Sequence, residues 1–321
     1  MKQIVEAADA IEEAASVLSH GGLVAVPTET VYGLAADAGN GAAVARIFEA
    51  KGRPRFNPLI AHVADMAMAK RLAIFDPLSE ILASHYWPGP LTLVLPRQAD
   101  AALHPLVSAG LDTVALRMPR GFAHELIARF GRPIAAPSAN SSGRISTTTA
   151  AAVAADLGEL VDLIVDGGAT SVGLESTIVK VEDGKVRLLR PGGVSVEELE
   201  AMPGISVLRA SKVGIEAPGQ MESHYAPVAA MRLNVERVEP GEALLAFGSK
   251  RAANASNAVV AANLSKRGDL REAAANLFVY MAQLDRAGAA TIAVEPIPAH
   301  GLGEAINDRL RRAAAPRPGG I

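Results

Sequence analysis

Lys51, Arg53 and Arg55 place three cations within five positions, and the run continues through Phe56, Asn57 and Pro58. Lysine ammonium and the planar arginine fork are the side chains that hold phosphate and carboxylate groups, so this cluster suits an anion. Upstream, Pro27-Thr28-Glu29-Thr30-Val31-Tyr32-Gly33-Leu34 offers hydroxyls, a carboxylate and a phenol where a short apolar run ends. Further polar groups stand at the ends of later apolar runs: His62, Thr113 and Arg117, Ser138 and Asn140, Ser176, and Arg190. In an open α/β sheet the rim at successive strand ends is where ligands sit. The expectation is one cleft, with a small substrate held by the Thr30 stretch and an anion beside it. Lys51, Arg53, Arg117, Arg144 and Arg190 would supply the charge.

Each residue also has a plainer role. Cations that follow a helix are favoured there by its C-terminal dipole and by solvent. A lone His62 inside a strand is commonly a structural residue. Ser138 and Asn140 are typical turn formers, Tyr32 fits a core position, and Arg117 at a strand end fits the surface. The recurrence of such residues at successive strand ends favours the cleft.

The elements that present these groups follow from apolar spacing and breakers. Helical spacing covers 8–20, 41–50, 77–86, 121–130 and 147–157; apolar runs at 23–26, 59–63, 91–95, 113–117, 133–136 and 163–166 read as strands. Ser176 to Val181 and Lys185 to Leu189 flank Asp183-Gly184, a hairpin turn. Residues 210–227 carry no apolar periodicity and several Gly and Pro, which makes them a linker long enough to have a further role. Beyond it, strands at 243–248 and 291–294 alternate with helices at 269–287 and 302–313, the pattern of a small parallel α/β unit.

Composition narrows the function classes. The chain has 321 residues, half of them apolar and only 4% aromatic, so the core is aliphatic. The net charge of −3 confines any nucleic-acid contact to a local patch. Absence of cysteine removes disulfides, thiol catalysis and thiolate metal sites. The N-terminal residues lack the apolar core of a signal peptide, and no stretch is apolar enough for a membrane span, so a cytoplasmic location and no membrane contact are expected. There is no G-x-x-x-x-G-K-[ST] loop and no H-E-x-x-H; Gly173-Leu174-Glu175-Ser176-Thr177 misses the serine-hydrolase elbow. Gly301-Leu302-Gly303 lacks the third glycine of a dinucleotide fingerprint and reads as the start of a helix. No metal ligand set is expected.

The stretches PTETVYGL (27–34), KGRPRFNP (51–58), TVALRMP (113–119), APSANSSG (136–143), ESTIV (175–179), LRPG (189–192), HYAP (224–227) and GLGEAINDRL (301–310) together resemble the YrdC-like family of threonylcarbamoyl-AMP synthases, in its longer two-domain form. The resemblance runs in order along nearly the whole chain, and the pairing of K-x-R with S-x-N is its most specific feature. It implies an α/β fold: a YrdC-like twisted mixed sheet with flanking helices and a large cleft, plus a small Rossmann-like C-terminal domain. The implied divisions are 1–205 (catalytic), 206–238 (linker or lid), 239–315 (C-terminal) and 316–321 (a disordered tail). The implied reaction joins L-threonine, bicarbonate and ATP into threonylcarbamoyl-AMP with release of pyrophosphate. The product serves N6-threonylcarbamoyladenosine formation next to the anticodon of tRNA, completed by a partner threonylcarbamoyl transferase complex.

By position, Thr30, His62, Arg117, Ser138 and Ser176 match the family's threonine pocket. Lys51, Arg53, Asn57, Thr113, Asn140, Ser146, Arg190 and the linker Tyr225 match its ATP contacts, with Lys51 and Arg53 as the catalytic cations. Mg²⁺ is expected to travel with ATP, a weak contact with tRNA is a further expectation, and no side chain stands out as a general base. The rival from another class is an RNA-binding module whose basic cleft holds a phosphate backbone without catalysis; low net charge and few aromatics weigh against it. A carbamoyl transferase of the hydrogenase-maturation type would carry zinc-finger cysteines, which this chain lacks.

Overall fold

The structure, a computed structural model, describes residues 4–209, 216–219 and 223–316. Eleven strands form one twisted sheet: β1 (Ile4–Glu6), β2 (Val24–Val26), β3 (Gly33–Asp37), β4 (Ile60–His62), β5 (Leu91–Pro96), β6 (Thr113–Arg117), β7 (Ile134–Ala135), β8 (Leu163–Asp166), β9 (Thr177–Glu182), β10 (Lys185–Arg190) and β11 (Val207–Arg209). Their spatial order is β1-β8-β2-β3-β7-β4-β6-β5-β9-β10-β11. Parallel and antiparallel pairs mix: β4 runs parallel to β6 and β5 parallel to β9, while β3 and β7 are antiparallel to their neighbours. The mixed α/β sheet with flanking helices agrees with the expected fold. The Asp183-Gly184 turn closes β9 and β10 as expected, with positive φ at both residues, 50° and 70°.

The second unit is a parallel sheet of β12 (Ala230–Leu233), β13 (Ala243–Ala246), β14 (Ala261–Asn263) and β15 (Thr291–Val294), ordered β12-β15-β13-β14. The helices Leu270–Arg286 and Leu302–Ala314 complete it, and Gly301 sits at the N-cap of the second, as an ordinary helix start. The stretch 206–238, expected as linker, holds β11 of the first sheet and β12 of the second. Of that stretch, 210–215 and 220–222 lie outside the described residues, as do 317–321 of the expected tail.

Several elements escape the apolar patterning. Gly33–Asp37 forms a fully buried strand where apolar spacing marks no element; its Gly and Ala residues let it lie between β2 and β7. The helices Met66–Leu72 and Val196–Glu200 are short, begun by Asp65 and Ser195 caps. The helix Gly41–Lys51 is well specified: the Asn40 side chain accepts from the amides of Ala42 and Ala43, and Gly52 ends it in the left-handed region. Lys51 is thereby its last residue, delivered to the sheet's rim.

Two cores result. The larger is aliphatic and lies under the first sheet. The second gathers Leu277, Phe278, Met281 and Ile292 of the second unit together with Val31 and Leu174 of the first, so the two units share it.

Candidate active site

A cavity of about 50 Å³ lies at the strand ends, walled by Thr30, Arg53, His62, Arg117, Ser138, Ser176, Arg190 and Tyr225, all expected from the sequence. Val31, Ile60, Ala136 and Pro137 add apolar surface, and Glu175, Pro218, Gly219 and His224 join the wall without having been singled out. Glu175 adjoins Ser176 and His224 adjoins Tyr225, but neither type nor spacing marked them.

The hydroxyl side is built by the turn after β2. The Thr28 hydroxyl donates to the Val31 carbonyl (2.7 Å) and accepts from the Thr30 amide (3.1 Å), which turns the chain and points Thr30 inward. Arg117 ends β6 beside His62, which ends β4 in parallel register. Its guanidinium donates to the Thr30 hydroxyl (2.9 Å) and the Gly89 carbonyl (3.1 Å) and pairs with Glu29 at 2.7 Å, all buried. Arg117 is thus part of the site's wall rather than a surface cation. Burial, followed by the Arg117 charge, pushes His62 down to about 3, so its imidazole is neutral at ordinary pH. Its Nδ1 is buried with no hydrogen-bond partner among the described residues. The Ser176 hydroxyl shares a 2.7 Å hydrogen bond with Thr92.

The cationic side is equally buried. Lys51 Nζ donates to the Ser138 and Asn140 carbonyls. Arg53 donates to the carbonyls of Asn57 (3.1 Å) and Pro58 (2.7 Å), folding its own loop around it. Arg190 donates to the Ser176 carbonyl (2.9 Å) and hydroxyl (3.2 Å). Burial and then Arg53 lower Lys51 to about 7; burial and then Arg190 lower Arg53 to about 10. Arg55, by contrast, is exposed, as the dipole argument allows.

Other expected residues stand off the cavity wall. Lys51 and Asn140 sit behind Ser138, and the Asn140 side chain donates to the Ser141 and Arg144 carbonyls at 2.8 and 2.9 Å. Asn57 meets Arg53 through its carbonyl. Thr113 opens β6, four residues before Arg117 on the same strand face. Ser146 gives its hydroxyl to Glu175. Arg144, expected in the cleft, instead lines a separate groove toward Asp285, 4.0 Å away, because its loop bridges to Ala226.

Described linker residues form part of the cavity wall. Ala217 packs fully buried on Ile60, Val94, Ala115, Ile178 and Leu189, the aliphatic face of the central strands. Glu216 pairs with Arg187 at 2.7 Å and Lys180 at 3.1 Å. Tyr225 is buried at φ 63°, a strained conformation for a side chain of that size.

Residues 16–192 match the Sua5–YciO–YrdC family model, described as "Telomere recombination", and residues 194–315 match the threonylcarbamoyl-AMP synthase C-terminal domain. The threonylcarbamoyl-AMP synthase of Pyrococcus abyssi is 42% identical, with 99% of each chain covered. That of Bacillus subtilis is 41% identical over 96% of this chain and 93% of its own. The crystal structure of P. abyssi Sua5 complexed with L-threonine superposes with a TM-score of 0.85 at 39% identity, covering 98% of this chain and 96% of the other. The chain belongs to the Sua5–YciO–YrdC family, in the form that carries the threonylcarbamoyl-AMP synthase C-terminal domain.

Proposed function

We propose that the chain is a threonylcarbamoyl-AMP synthase, which joins L-threonine, bicarbonate and ATP and releases pyrophosphate. The observation that carries this reading is the buried trio Lys51, Arg53 and Arg190 beside a pocket of hydroxyls. Their donors rest on carbonyl and hydroxyl oxygens, which leaves the charge for a ligand. Similarity to a threonine-bound relative supports threonine as the amino acid.

Threonine sits among Thr30, His62, Arg117, Ser138 and Ser176. ATP lies against Lys51, Arg53 and Arg190, with Asn57, Thr113, Asn140, Ser146 and Tyr225 around it. The threonine amine and bicarbonate condense to a carbamate with loss of water. A carbamate oxygen then bonds to the α-phosphorus, and the bond from that phosphorus to the pyrophosphate oxygen breaks. Two anions must meet, so the cations contribute by neutralising charge at fixed positions, and the pocket contributes by orientation. No side chain is assigned as a base.

The carboxylate on the wall, Glu175, is committed to Ser146 and Arg309, and Glu29 is committed to Arg117. Among the described residues no group of three or more His, Asp or Glu stands ready for a metal. Mg²⁺ is proposed to travel with ATP, on its phosphates and water, with no protein ligand assigned. The segment with Pro218, Gly219 and Tyr225 stands on the cavity wall, and on this reading it moves aside for ATP and closes again. Transfer to tRNA falls to a partner transferase, with a weak contact of this chain to tRNA. Among the described residues no helix is long and apolar enough to cross a membrane, and a cytoplasmic location is proposed.

Pyrophosphate release from ATP, with threonine and bicarbonate added separately and together, tests the reading. Release needs both and falls at least a hundredfold in Arg53→Ala. Release independent of threonine would mean another acceptor, and salt-sensitive RNA binding without release would favour the binding module.

A further inference from the structure

The second unit reaches into the site through one side chain. Arg309, on the helix Leu302–Ala314, has no solvent exposure. Its Nε donates to Glu175 at 2.8 Å and its Nη1 to Asp308 at 2.7 Å. Its guanidinium lies 5.0 Å from the centre of the Tyr225 ring, which also stacks on Phe278 and meets His224 edge-on at 4.0 Å. Arg309 Nη2 and the Tyr225 hydroxyl are buried without hydrogen-bond partners among the described residues.

Glu175 is a liability in this place. It lines the cavity one residue from Ser176, whose carbonyl holds Arg190. A free carboxylate there would repel the phosphates that the site is proposed to bind and would draw Arg190 to itself. Glu175 is nevertheless fixed at both oxygens, one accepting from Ser146 and the other from Arg309. Single removal from a buried pair leaves an uncompensated charge, whereas removal of both partners is far less costly.

We propose that Arg309 is a positioning residue for ATP: the second unit supplies the counter-ion that neutralises Glu175 and the shelf that holds Tyr225 over the nucleotide. This rests on the reading that phosphates lie against Arg53 and Arg190. The coupling carried by Arg309 is then electrostatic and local to the nucleotide half, whereas the threonine half, walled by Thr30, His62 and Arg117, meets the second unit through the apolar side chain of Val31.

The test uses the full chain with Arg309→Met, which keeps length and apolar contact, Arg309→Lys, which keeps charge, and the double variant Arg309→Met with Glu175→Gln. Pyrophosphate release gives KM for ATP and kcat, calorimetry gives the threonine Kd, and circular dichroism checks folding. Arg309→Met raises KM for ATP tenfold or more with kcat and threonine Kd changed less than threefold; Arg309→Lys raises it less; adding Glu175→Gln recovers most of the loss. An unchanged KM for ATP in folded Arg309→Met, equal losses in the Met and Lys variants, or no recovery in the double variant would each overturn the proposal. If Arg309→Met does not fold, Arg309→Lys and the double variant decide it: a double variant with an ATP KM more than tenfold above wild type overturns it. A wild-type protein that releases no threonine-dependent pyrophosphate would instead overturn the functional reading itself.

Discussion

Lys51 ends its helix inside the protein, where solvent cannot stabilise its charge. Lowered by burial and by Arg53 to about 7, it carries its proton at pH 6 and has largely lost it by pH 8. On the proposed reading the ammonium form is the one that meets phosphate, so kcat/KM for ATP is expected to fall as pH rises through this value, by up to tenfold per pH unit. Lys51→Arg keeps its charge throughout, so that decline disappears even if overall activity drops. Rate profiles from about pH 6 to 9 for both proteins check this; a Lys51→Arg profile that declines in parallel with wild type would assign the titration to another group. The same burial that lowers Lys51 keeps His62 neutral, which suits a hydrogen-bonding rather than an ion-pairing role in the proposed threonine pocket.

At the scale of elements, the described linker residues Pro218 and Gly219 stand on the cavity wall, where the proposed cover would close. Gly219 has φ +81°, and a Cβ on it would stand 2.8 Å from Arg190 Cδ and 3.3 Å from the Tyr225 hydroxyl. Gly219→Ala adds roughly 1–2 kcal/mol of left-handed strain to the closed form and crowds Arg190. It is expected to weaken ATP binding by about tenfold while the threonine Kd stays within twofold, both read by calorimetry. Equal affinity for ATP in the variant would show that closure does not involve this contact. The elements differ in how legible they were. The helix Gly41–Lys51 could be read because cap, apolar face and terminating glycine all agree. Strand β3 could not, since Gly33-Leu34-Ala35-Ala36-Asp37 carries no alternation and its strand character comes from lying between β2 and β7. The cleft that brings Thr30, His62, Arg117, Ser138 and Ser176 together was legible, because polar groups at apolar-run ends meet at one rim. The Glu175–Arg309 pair was not, because its partners are 134 residues apart and only the docking of the two units joins them.

Across the whole molecule, the second unit is packed into the first rather than tethered to it. Val31 and Leu174 belong to the second core, and the chain passes the helix Leu270–Arg286 so closely at Gly173 that a Cβ would lie 2.4 Å from the Ala274 carbonyl oxygen. Both contacts flank the cavity, next to Thr30 and Glu175. The architecture therefore sets a sheet rim of hydroxyls and cations on one side and a docked α/β unit on the other, with the linker between them. Such an arrangement suits a reactive intermediate that must be formed out of water. The most direct measurement is to supply ¹³C-bicarbonate with threonine and ATP, quench, and look by mass spectrometry for an adenylate. The account predicts one species containing one threonine, one labelled carbon and AMP, formed in step with pyrophosphate. Pyrophosphate appearing without a labelled, threonine-containing adenylate would contradict it.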